Sequence, residues 1–161
     1  MSRFIQQLGR FFDYPLFVKV WFLPTWLLLG FARLAILSVS FRRLASRLGS
    51  SVGVAPWLPL LDAREAERAR LIGQVIRLAA RHTPWESNCF PQAIVAKMML
   101  AAYRVPYCLF FGVYRNATTG AFAAHAWVAA GRVKVIGGCG FDKYTVVGVF
   151  VAPQLTKDNP D

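Results

Sequence analysis

Trp85-Glu86-Ser87-Asn88-Cys89-Phe90-Pro91 is the stretch that decides the fold. Glu86, Ser87 and Asn88 make a polar turn, and from Pro91 the chain becomes apolar. Proline suits the first turn of a helix because its missing N–H would be unpaired there anyway. A helix is therefore expected from about Cys89 to about Tyr103. Ile94, Val95, Met98, Met99 and Ala102 lie on more than one of its faces, as in a buried central helix, with the methionines as core filler. Cys89 falls at its start, where unpaired N–H groups and the helix dipole favour a thiolate.

On the C-terminal side the period changes from helical to alternating. Tyr107–Tyr114, Phe122–Ala130, Val133–Ile136 and Tyr144–Val151 read as four strands, with a turn at Asn116–Gly120 and glycines at 131, 137 and 138. The short connections make the sheet antiparallel. Helices followed by strands give an α+β fold. Pro153–Asp161 reads as a polar tail.

On the N-terminal side, Leu71, Ile72, Val75, Ile76, Leu78 and Ala79 repeat at helical spacing. That helix starts at Asp62, with Glu65 as its capping-box partner, and Pro84 ends it near His82-Thr83. Arg64, Arg68, Arg70, Arg77 and Arg81 give it a solvated basic face. Gly49 to Leu60, with two glycines and two prolines, reads as a linker. The expected organisation is an apolar helical segment over 1–48, a linker over 49–61, a catalytic domain over 62–152 and a tail over 153–161.

Residues 14–41 are mostly apolar. Lys19 and Arg33 bracket too short a run for a comfortable crossing, since a span needs about 20 apolar residues. Pro24 is expected to break or kink the helix. Three readings stay open: a layer packed on the catalytic domain, an interfacial helix held by aromatics and by Arg42, Arg43 and Arg47, and a true span.

Composition narrows the partners. Hydrophobic residues make up 56% and charged ones 17%, greasier than an ordinary domain at about 25% charged. The net charge of +11 attracts anionic lipid or an acidic peptide. No arginine-rich recognition helix or aromatic single-strand motif is present, which ranks nucleic acid last. The three cysteines, Cys89, Cys108 and Cys139, form no CxxC pair and follow no secretory signal, which suits a reducing cytoplasm. Cys89, Cys139 and His125 lack the close paired spacing of a structural zinc site, so no metal and no cofactor is expected.

The chemistry rests on a cysteine and a histidine. There are only two histidines. His82 sits at a helix end, where it is expected to meet the last carbonyls. His125 lies on a strand, alternating with Trp127, while Ala124, Ala126 and Val128 face the other way. A thiol at a helix start with an imidazole across from it is a nucleophile and its base, and the helix N–H groups suit an oxyanion. The imidazole needs an orienting partner on its other nitrogen. Of the eight acids, only Glu86 and Asp142 lie in the catalytic half outside the tail. Either Asp142 or a backbone carbonyl is expected to orient His125. Trp85, Asn88, Gln92 and Trp127 border the site by proximity and are candidates for substrate binding.

With these residues in hand, the chain resembles the lasso-peptide leader peptidases, which are transglutaminase-like, papain-like cysteine proteases. The resemblance rests on Trp-x-Ser-x-Cys-Phe-Pro-Gln-Ala at 85–93 and Ala-His-Ala-Trp-Val at 124–128. Phe-Arg-Arg-Leu at 41–44, Ile-Gly-Gly at 136–138 and Tyr-Thr-Val-Val at 144–147 also match. It implies Cys89 as nucleophile and His125 as base, and it sets the family's aspartate near Gly137, where this chain departs from the pattern. It implies removal of the leader from a ribosomally made precursor. A cyclase resembling asparagine synthetase then closes the macrolactam. It further implies a split system with a separate winged-helix leader-recognition protein. The family's ATP dependence has no counterpart in a glycine-rich phosphate loop here. The location expected is cytoplasmic, peripheral on the inner membrane face. Two rivals stand beside this: an acyltransferase using the same pair, and a membrane-associated scaffold for the cyclase.

Overall fold

The capping box read at Asp62 is formed in full. The Asp62 carboxylate accepts from Glu65 N at 2.7 Å, and the Glu65 carboxylate accepts from Asp62 N at 2.9 Å. In the computed structural model, which describes residues 13–40, 43–44, 48–54, 58–115, 120–138 and 142–157, this cap opens the second of three long helices. The elements are α1 (Leu16–Ser38), β1 (Ser50–Ser51), α2 (Ala63–Ala80), α3 (Cys89–Ala102), β2 (Cys108–Arg115), β3 (Phe122–Ala130), β4 (Val133–Ile136), β5 (Thr145–Val151) and the short α4 (Gln154–Lys157). Cys139, Arg42, Arg47, most of the 116–120 turn and the end of the tail lie outside the described residues.

The strands form one antiparallel sheet in the order β1-β5-β2-β3-β4. The sequence suggests about four strands, and the fifth, β1, comes from the stretch read as linker. Its residues are serines, with no strand propensity of their own. They pair because the edge of β5 is open, and pairing context outweighs composition. Val52 N donates to Val149 O at 3.0 Å, and Val149 N to Gly53 O at 2.8 Å.

The helices cover one face of the sheet. Ile72, Ile76, Val95 and Met99 bury against Leu109, Ala126, Val128 and Ala130, each full burial stabilising by roughly 1.5–3 kcal/mol for the larger side chains. The other face carries a second cluster of Cys108, Phe110, Trp127, Ala129, Val149 and Val151. The alternation along β3 is thus as read, with Ala126 and Val128 on one side and Trp127 on the other.

Pro24 does not end α1, which runs through it for 23 residues. The turns on either side are pinned to the domain. Val18, Thr25, Leu29 and Ala32 are buried, Thr25 Oγ1 donates to Met99 Sδ at 3.7 Å, and Trp26 Nε1 donates to His82 O at 3.0 Å. The inner side of α1 is therefore a layer on α2 and α3. Its contact also changes the reading of the basic face of α2. The Arg68 guanidinium lies 4.8 Å from the Phe17 ring and 4.6 Å from the Tyr103 ring, and Arg77 Nη1 donates to Val135 O.

Candidate active site

Cys89 is the first residue of α3. The preceding Asn88 has extended backbone (φ −73°, ψ −165°) and makes no side-chain cap, so the N–H groups of the first turn are not consumed by it. The loop leading in is held from several sides. Thr83 Oγ1 lies 3.0 Å from Trp85 O and 2.9 Å from Ser87 Oγ. Gln92 Nε2 donates to Ser87 O at 2.6 Å. Arg33 pairs with Glu86 at 2.8 Å, and the Trp85 ring stands 4.6 Å from that of Trp26.

A cavity of about 420 Å³ opens in front of Cys89. Asn88, Cys89 and Phe90 line it from the start of α3, Phe111 to Val113 from β2, Ala124 to Ala126 from β3, and Val147 from β5. Cys89 and β3 at His125 both line this cavity, but the His125 ring is stacked with Trp127 and Tyr144 on the other face of the strand from Ala124 and Ala126. No hydrogen bond joins the thiol to the imidazole among the described contacts.

His125 Nε2 lies 2.8 Å from Gly137 O. A carbonyl oxygen only accepts, so Nε2 carries the proton and the neutral ring keeps its lone pair on Nδ1. The ring stacks on Tyr144 at 4.9 Å and on Trp127 at 5.8 Å. Two glycines allow this arrangement. A Cβ at Gly112 would meet both the Trp127 ring and Tyr144 at 2.8 Å. Gly137 has φ +83°, and a Cβ there would stand 2.5 Å from Trp127 Cβ. The group within reach of the imidazole is therefore a main-chain carbonyl, one of the two the sequence leaves open. Asp142 sits exposed on a turn and does not line the cavity.

A family model described as the transglutaminase-like superfamily matches residues 35–149. The chain belongs to that superfamily. No curated protein and no solved structure matches it significantly. The three helices and antiparallel five-stranded sheet fit a transglutaminase-like domain. Such proteins are typically cysteine-based peptidases or acyltransferases, and the matched stretch contains both Cys89 and His125.

Of the other residues singled out in this transglutaminase-like chain, Asn88 lines the cavity, whereas Trp85, Gln92 and Trp127 do not. Trp85 faces α1, Gln92 is turned back to Ser87, and Trp127 is buried. His82 has its ring against Phe22 at 6.1 Å, and its main-chain N–H, not the ring, donates to Ala79 O. The apolar walls Phe90, Phe111, Val113 and Val147 were not foreseen. Adjacency to Cys89 could have flagged Phe90. The others depend on register, which sets Phe111 opposite Ala126 and Gly112 opposite His125.

Cys108 differs from Cys89 in kind. It is fully buried in β2, and desolvation pushes its thiol up to about 12. Among the described residues no three His, Cys, Asp or Glu side chains gather as metal ligands would.

Proposed function

We propose that this transglutaminase-like protein is a cysteine peptidase that removes the leader from a ribosomally made lasso-peptide precursor. The observation that carries the reading is a thiol at a helix start opening on an apolar cavity walled by β3 at His125, within a transglutaminase-like domain. In this reading the His125 ring must swing from its place beside Trp127 and Tyr144 to the Cys89 side of β3, where Nδ1 takes the thiol proton. The Cys89 sulfur attacks the scissile carbonyl, and the N–H groups at the start of α3 hold the oxyanion. The imidazolium returns its proton to the departing amine. Water then adds to the thioester, releasing the leader carboxylate and regenerating the thiol.

Phe90, Phe111, Val113 and Val147 suit an apolar side chain beside the scissile bond. A separate winged-helix protein would present the leader, and an asparagine-synthetase-like cyclase would take the freed amine. Superfamily membership supports a second reading, transfer of the acyl group to an amine instead of water. Incubation of purified protein with precursor, partner proteins and mass spectrometry separates them. Leader loss with addition of water supports the peptidase, and an isopeptide adduct supports the transferase. Unchanged processing by Cys89→Ala would remove both and leave the scaffold reading.

A further inference from the structure

We propose that the outer face of α1 seats the protein on an anionic lipid surface, with the helix lying in the plane of the interface. This inference is independent of the peptidase reading. From Leu16 to Leu37 every large side chain on the outer face is apolar and open to solvent, including Leu23 (62%), Phe31 (65%) and Leu34 (60%). The stripe follows the helical repeat along all of α1, roughly 35 Å. Between Leu27, Phe31, Leu34 and Leu37 on α1 and Trp85 below them lies a groove of about 440 Å³, which the paired Arg33 and Glu86 also line. A stripe of this size on a soluble surface marks a docking face.

Three features select lipid as the occupant. A net charge of +11 draws the chain to anionic headgroups and repels a second copy of it. The only charged residues of α1, Lys19 and Arg33, are half-buried at its flanks, so the exposed stripe lacks the charges by which a coiled coil chooses a partner. The inner side of α1 is committed to the domain through Val18, Leu29 and the Trp26–His82 bond, so a crossing would strip buried side chains from α2 and α3. One apolar face then remains to enter the headgroup–acyl boundary.

Co-sedimentation of the full chain with phosphatidylcholine vesicles, with and without phosphatidylglycerol, tests this. Binding is expected only with the anionic lipid, weakening as salt rises. Leu27→Gln/Leu34→Gln is expected to lower it by about tenfold or more. Phe122→Gln, on a strand end, should leave it unchanged, as should Cys89→Ala, which separates this inference from catalysis. Circular dichroism confirms the fold of each variant, and any misfolded double variant is replaced by Leu23→Gln. Equal binding by wild type and stripe variants would overturn the proposal. So would retention through alkaline carbonate, which marks a span, or a lipid-free dimer that the same variants dissociate.

Discussion

At the scale of single residues, two thiols are set in opposite environments. Cys89 is partly exposed at a helix start, and Cys108 is sealed between β3 and β5. Iodoacetamide near neutral pH is therefore expected to label Cys89 and spare Cys108 until the chain is unfolded, as peptide mass spectrometry would show in a Cys139→Ser background. The Cys108 shift also has a sign. Its value rises from 9.0 unfolded to about 12 folded, so its contribution to stability is complete below about pH 9 and drains away as pH climbs towards 12. Burial raises Tyr107 in the same direction. Urea midpoints measured across that range should fall, and less steeply in Cys108→Ala. Both residues proposed for catalysis were legible because a thiol at a helix start and a histidine in a strand leave residue-type signatures. Which of the two candidate partners binds His125 was not, because a main-chain carbonyl has no letter of its own.

At the scale of elements, the turn after β4 shows what glycine does here. Gly137 and Gly138 both have positive φ, +83° and +66°, but only the first is crowded. Gly137→Ala would meet Trp127 Cβ and Ala126 O and move the carbonyl that binds His125, costing about 1–3 kcal/mol with loss of activity. Gly138→Ala meets nothing within 4 Å, and its conformational strain should cost about 1 kcal/mol with activity kept. Thermal melts and precursor turnover on the two variants check this. In α1, Pro24→Ala restores an N–H that Val20 O can accept, in a helix already continuous there. A stability gain of about 1–3 kcal/mol is expected by denaturant titration. Periodicity and capping gave α2, α3 and the four longer strands within a residue or two. It could not give β1, whose serines pair only because β5 offers an edge.

At the scale of the whole molecule, hydrophobic content was a guide to surface as much as to core. The 56% apolar share fills one core under the helices, a smaller one beyond the sheet, and the open stripe on α1. Composition also set the first forty-eight residues apart, and the packing runs across that boundary. Val18, Leu29 and Ala32 of α1 share a cluster with Ile72, Ile76 and Met99. If α1 is part of one cooperative unit, Leu29→Ala should cost about 2–5 kcal/mol, as a buried leucine anywhere in a core would. Calorimetry should then show a single transition shifted as a whole, with Ile76→Ala shifting it by a similar amount. An α1 that folds as an appendage would instead melt first, giving two transitions of which only the earlier responds to Leu29→Ala. The fixed points argue for the single transition. Thr25 bonds to Met99 on α3, Trp26 to His82 O just beyond α2, and Arg33 to Glu86 in the loop before Cys89. Loosening α1 would therefore loosen the loop that carries the thiol.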